Sequence, residues 1–133
     1  MRVTHPKIKE LKENEIFVFG SNTRGIHGAG AAKLAHQKFG AIWGIGFGLT
    51  GQSFAIPTKD EKIETMPLNM IQNHVTQFIK FAKTMPQLTF LVTEVGCGLA
   101  NLTPEQVAPL FKDAVNVENI HLPERFWNVL NVQ

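Results

Sequence analysis

The 133-residue chain is long enough for one domain and short for two, and 44% hydrophobic against 18% charged residues, with no low-complexity tract, excludes a largely disordered chain. The formal net charge is +2, with Lys and Arg scattered among Asp and Glu, so the balance does not demand a nucleic-acid partner. A single cysteine, Cys97, excludes an internal disulfide framework and suits a reducing cytoplasm, and no run of 18 apolar residues predicts a membrane span.

Taken in chain order, Met1-Arg2-Val3-Thr4-His5-Pro6 lacks the apolar run that follows the charged start of a signal peptide, which leaves the expectation of a cytoplasmic protein. Residues 15–19, Glu-Ile-Phe-Val-Phe, are rich in strand formers and stop at Gly20, predicting a buried strand. The loop Gly20-Ser21-Asn22-Thr23-Arg24-Gly25-Ile26-His27-Gly28-Ala29-Gly30 leads into an alanine-rich helix from Ala29 to about Lys38. Residues 41–45 and 53–57 are shorter strand candidates. From Pro67 to Thr84, Leu68, Ile71, Val75, Phe78, Ile79 and Ala82 recur at helical spacing behind a first-turn proline.

A further strand is predicted at Leu88–Thr93, ending in Glu94-Val95-Gly96. Thr103-Pro104-Glu105-Gln106 carries a cap hydroxyl, a first-turn proline and a capping-box glutamine, and Val107, Leu110, Phe111 and Ala114 form the buried stripe of the helix it starts. A short strand within 117–122 and a terminal turn or helix with Phe126, Trp127 and Leu130 complete the set. This alternation predicts a single three-layer α/β/α domain over 1–133 with a mixed, mostly parallel sheet, and ligands of such sheets bind at the carboxyl ends of the strands.

Nine of the 11 glycines fall within the first 51 residues and the other two flank Cys97. Three loops, around 20–30, 44–52 and 96–101, are thereby expected to converge on an extended ligand, because glycine lets backbone N–H groups approach an anion and a following helix adds its positive end. The dinucleotide fingerprint Gly-x-Gly-x-x-Gly is not met after the first strand, where Gly28-x-Gly30 is followed by Ala31, Ala32 and Lys33, and there is no Gly-x-x-x-x-Gly-Lys-Ser/Thr. Ordinary dehydrogenase and P-loop chemistry are set aside on those grounds.

Phe19-Gly20-Ser21-Asn22, then His27-Gly28-Ala29-Gly30-Ala31-Ala32, and later Gly96-Cys97-Gly98-Leu99 before a capped helix, resemble the two ligand loops of the macrodomain family, nearest its terminal ADP-ribose protein glycohydrolase branch. The resemblance spans roughly residues 15–112. It implies a macrodomain-like sandwich binding ADP-ribose or a related NAD-derived nucleotide, free or carried on a protein or nucleic acid, with no further cofactor. Asn22 would bond the distal ribose, the backbone of Gly28, Ala29 and Gly30 one side of the pyrophosphate, and Gly96, Cys97, Gly98 and Leu99 the other. Lys59 would be the branch's reactive lysine, but where that branch carries a loop aspartate this chain has Ala100 followed by Asn101, so hydrolysis of an ADP-ribosyl linkage is open.

Among titratable residues, Lys59 is a nucleophile candidate only if burial or a neighbouring cation lowers its pKa, and otherwise a solvated strand-end lysine. His27 is placed to bind phosphate, move a proton or order its loop, and Arg24 to grip a phosphate or to stand as a loop-tip charge. Cys97, ahead of a helix, has no declared base, and the five histidines lack metal-ligand spacing, so no metal is expected. Phe47, in the second glycine loop, is the aromatic set aside for stacking, whereas Trp43 and Trp127 are assigned to packing. The alternatives are a single-stranded nucleic-acid binder using Phe47, Arg24 and nearby lysines, and a partner-binding domain whose glycines are architectural.

Overall fold

A strand covered on both faces of a parallel sheet must be apolar at consecutive positions, and Ile16, Phe17, Val18 and Phe19 are all at most 3% exposed. They belong to the central strand of a computed structural model that describes residues 2–131. Its elements are β1 (Val3–Thr4), β2 (Glu15–Asn22), α1 (Gly30–Lys38), β3 (Gly48–Thr50), β4 (Ser53–Lys59), α2 (Leu68–Lys83), β5 (Thr89–Val92), α3 (Pro104–Val107), β6 (Ile120–Pro123) and α4 (Glu124–Asn131). One six-stranded sheet runs in the order β1-β6-β5-β2-β4-β3, and every pairing is parallel except β3 with β4.

Side chains alternate between the faces. Phe17 and Phe19 of β2 and Ala55 of β4 meet Ala32, Ala35 and Phe39 of the α1 layer. Ile16, Val18, Phe54 and Ile56 point the other way, into the larger core with Ile71, Val75 and Phe78 of α2, Phe111, and Phe126 of α4. The three-layer α/β/α architecture expected from the sequence is therefore present. The amphipathic helix over 67–84 is α2, with Phe78, Phe90 and Phe111 fully buried, and the C-terminal Phe126 and Trp127 close this core.

Three expectations change. Residues 41–45 form no strand: Ala41 N–H turns back to Ala35 O (3.1 Å), Gly44 takes φ +96°, and its N–H donates to Gly25 O (2.8 Å), so the segment leaves the sheet to brace the preceding loop. The third strand comes later, at β3. The helix begun by Thr103 has the expected reciprocal cap with Gln106 but is α-helical for one turn only, continuing as a 3-10 helix over Ala108–Ala114, where Pro109 removes a backbone donor. Finally, β1 was not anticipated. It is held to β6 by pairing and by the Arg2 guanidinium, which donates to the carbonyls of Val115, Val117 and Ile120, while Trp127 Nε1 donates to Arg2 O at 2.7 Å. No helix among the described residues is long and apolar enough to cross a membrane.

Candidate functional site

Chain path selects where a crevice forms. β2 passes to its neighbour β4 through α1 on one face, and β4 passes to β5, on the other side of β2, through α2 on the opposite face. Since β2 exits toward β4 and β5 exits the other way, toward β6, the connections diverge between the carboxyl ends of β2 and β5, the position at which open α/β sheets leave room for a ligand. A cavity of about 660 Å³ lies there, within the roughly 300–1,000 Å³ of small-molecule sites.

Its floor is the strand ends. Gly20, Ser21 and Asn22 come from β2, Thr58 and Lys59 from β4, and Thr93 and Glu94 from the residues after β5. The β2–β4 register slips between Ser21 and Asn22, so Asn22 pairs with Lys59 and Thr58 is skipped; the Thr58 hydroxyl donates to Ser21 O at 3.3 Å instead. That bulge carries Lys59 to the rim.

Two backbone lips face each other across this floor. The first is Gly28 to Ala32, which includes the start of α1; Ala29 is its N-cap and has no side-chain capping bond, so the first-turn N–H groups carry the helix's positive end uncovered. The second runs from Gly96 to Ala100 and is closed from behind by Asn101 N–H to Gly98 O (3.0 Å) and Leu102 N–H to Gly96 O (2.9 Å). Those bonds turn the loop so that Gly98 and Leu99 stand exposed, Leu99 at 64%. Gly20 supports the close approach of the two sides: a Cβ there would lie 3.2 Å from the Gly96 nitrogen.

The loops thus bring Gly20, Ser21, Asn22, Gly28, Ala29, Gly30, Lys59, Gly96, Cys97, Gly98 and Leu99 to one cavity. Four sequence candidates are not on its wall. His27 is 1% exposed, with Nε2 3.0 Å from Ile42 O and Nδ1 3.5 Å from Ser21 Oγ, and burial lowers its pKa, so it is a neutral brace between two loops. Phe47 packs edge-on against Phe54 and beside His74, and the second glycine loop lies against the backbone of Asn22 and contributes nothing to the cavity lining. Arg24 stands exposed at a loop tip. Asn101 occupies a left-handed turn at φ +60°, a conformation that asparagine tolerates.

Asn22 itself is largely engaged: its Nδ2 donates to Ile26 O (2.9 Å) and its Oδ1 accepts from Ile26 N–H (3.0 Å). One amide N–H and one lone pair are left for a ligand. Cys97 is half-buried; burial first, and then the Glu94 carboxylate, push its thiol up to about 11, which makes it a poor nucleophile at neutral pH.

Residues not foreseen include Thr58, Ile63, Thr93 and Glu94. Glu94 is the carboxylate on the wall, gripped side-on by Arg125 of α4 through Nε–H to Oε2 and Nη2–H to Oε1, both 2.6 Å. These hydrogen bonds hold its pKa below the ordinary carboxylate value. Its place at the end of a central strand, two residues before Gly96, was the available signal. Ile63 has φ +60°, a strained state for a β-branched residue, within the turn fixed by Asp60 Oδ1 accepting from Lys62 and Glu64 N–H. Nothing in the sequence announces that.

A second cavity of about 580 Å³ continues along the same sheet edge, sharing Ala31, Thr93 and Glu94 with the first. Val3, Pro6, Ile8, Phe17, Leu34 and Pro123 give it apolar walls, and Thr4 Oγ1 on its lining is buried without a hydrogen-bond partner. Among the described residues no cluster of His, Cys, Asp or Glu could hold a metal ion. Comparison of the chain with protein families, with curated proteins and with solved structures finds no match.

Proposed function

We propose that this protein binds ADP-ribose or a closely related NAD-derived diphosphate nucleotide in the cleft at the carboxyl edge of its sheet. One observation carries the reading: two backbone lips, Gly28–Ala32 and Gly96–Ala100, line one cavity, which shares Ala31, Thr93 and Glu94 with a second, largely apolar one. A diphosphate accepts hydrogen bonds from both sides, and bonds from N–H groups to a charged oxygen contribute about 1.5–3 kcal/mol each. The ribose hydroxyls then meet Asn22 and Lys59, and the base end extends past Ala31 and Thr93 into the apolar chamber. Two adjoining cavities of about 660 and 580 Å³ favour an extended ligand over a mononucleotide.

Binding, not turnover, is the function the chemistry favours. Ala100 puts a methyl group where the resembling branch has its aspartate, and its carbonyl is used by Thr65 Oγ1–H at 2.9 Å. Glu94, the carboxylate on the wall, has both oxygens engaged by Arg125. The carboxylate on this wall is therefore not free to exchange protons with Lys59.

Calorimetric titration with ADP-ribose, NAD and AMP tests this, with Gly98→Glu as the control. A Cβ at Gly98 meets no atom within 4 Å, so that variant keeps the fold while setting a negative charge on the second lip. The expected result is saturable one-to-one binding of ADP-ribose, weaker AMP binding, and loss of both in Gly98→Glu. Absence of heat with ADP-ribose, or equal affinity in folded Gly98→Glu, overturns the reading.

A further inference from the structure

Trp43 is 53% exposed, and Ile42 and Ile45 beside it are 55% and 40% exposed, which reverses the roles expected of the two loop aromatics: Phe47 packs and Trp43 faces solvent. The indole is not adrift. It stands edge-on to His36 (centroids 5.5 Å apart) and to His27 (6.2 Å), and His36 is itself tied by Nδ1 to Ala41 O at 2.8 Å. An exposed indole held by these two contacts is a preformed platform that costs little entropy to use.

The segment that builds this surface is basic. From Ile16 to Lys59 the chain carries Arg24, Lys33, Lys38 and Lys59 and no aspartate or glutamate, although the whole chain is only +2. The bond from Gly44 N–H to Gly25 O joins the loop tip bearing Arg24 to the one bearing Trp43. Lys33 lies one helical turn before His36 on α1, on the same face. Arg24 and Lys33 are exposed, and neither forms an ion pair among the described residues. The patch also touches the cleft, since a Cβ at Gly28 would lie 4.0 Å from the Trp43 ring.

We infer that this surface binds single-stranded nucleic acid, with an unpaired base stacked on Trp43 and phosphates drawn to Arg24 and Lys33. An exposed aromatic flanked by unpaired cations fits a chain that offers bases and phosphates alternately, and it does not fit a wholly apolar protein face. The inference stands apart from the reading of the cleft, which concerns a free or attached nucleotide at the lips. Together they describe a protein that holds a nucleotide beside a strand.

The test is fluorescence anisotropy with a labelled single-stranded oligothymidylate and a duplex of equal length, over a series of salt concentrations. The variants are Trp43→Ala, Trp43→Phe and Arg24→Ala/Lys33→Ala, with unchanged circular dichroism required of each. Expected are tighter binding of the single strand than of the duplex, an affinity loss of about 5- to 150-fold in Trp43→Ala that Trp43→Phe largely restores, and a salt slope reduced by about 1.4 in the double variant. No binding at low salt, equal affinity for duplex, or affinity unmoved by all three variants would overturn it. So would self-association of the wild type that Trp43→Ala abolishes, since the face would then belong to a second copy.

Discussion

Gly46→Ala is the substitution through which the interlocked loops can be probed most sharply. Gly46 needs no unusual φ; it needs the absence of a side chain, because a Cβ there would lie 2.1 Å from Asn22 O and 3.1 Å from the carbonyl carbons of Asn22 and Thr23. Real Cβ contacts stay beyond 3.0 Å, so the two backbones must part by about 1 Å. Neither can yield freely: Thr23 N–H is bonded to Lys59 O at 3.0 Å, and the clashing oxygen is the acceptor for Gly25 N–H at 2.9 Å. Overpacking costs about 1–3 kcal/mol and the lost hydrogen bond about 1, offset by about 0.4–1 from a stiffer unfolded chain. The net expectation is about 1–3.5 kcal/mol, which lowers the urea midpoint by roughly 0.5–2 M. Equilibrium denaturation followed by circular dichroism reads this, with Gly98→Ala as the comparison, expected to stay within about 0.5 kcal/mol of wild type because its Cβ meets nothing. A Gly46→Ala protein as stable as wild type, or Gly98→Ala equally damaged, would refute the argument that the second glycine loop is a buttress.

Two further outcomes follow from the charged and titratable groups. Cys97, pushed up to about 11 by burial and the Glu94 carboxylate, should react with a disulfide reagent at pH 8 far more slowly in the folded state than in urea; equal rates would contradict its assigned environment. His27, His74 and His121 all have pKa values lowered first by burial, so the unfolded chain binds more protons as pH falls below about 6.5, and the stability they contribute above that pH is lost as pH falls toward their folded values. Urea midpoints should therefore be lower at pH 5.5 than at pH 7.5, and a midpoint that rises on acidification would oppose this.

Elements that announce themselves by periodicity or consecutive burial were readable from the chain. β2, α2, β5 and the capping box at Thr103 are of that kind, since each is dictated by residues close in sequence. β1 was not readable: two residues carry no period, and its place depends on Arg2 reaching carbonyls more than 110 positions away. The strand expected at 41–45 failed for a similar reason, because its apolar residues serve a loop fixed by a distant bond to Gly25. In the site, glycine clustering located both lips, but it could not tell ligand-facing loops from buttressing ones. That distinction rests on contacts such as Gly46 against Asn22, and it moved Phe47 and His27 off the cavity wall. Glu94 stayed hidden because its partner, Arg125, arrives from α4 at the far end of the chain.

The most direct test of the nucleotide cleft is an amide-resolved NMR titration of the isotope-labelled protein with ADP-ribose. Saturable shifts should concentrate at the backbone N–H groups of Gly28, Ala29, Gly30, Gly98 and Leu99, with smaller ones at Thr4 and Thr93 along the second chamber. Shifts absent from both lips, or confined to Trp43 and its neighbours, would contradict the account.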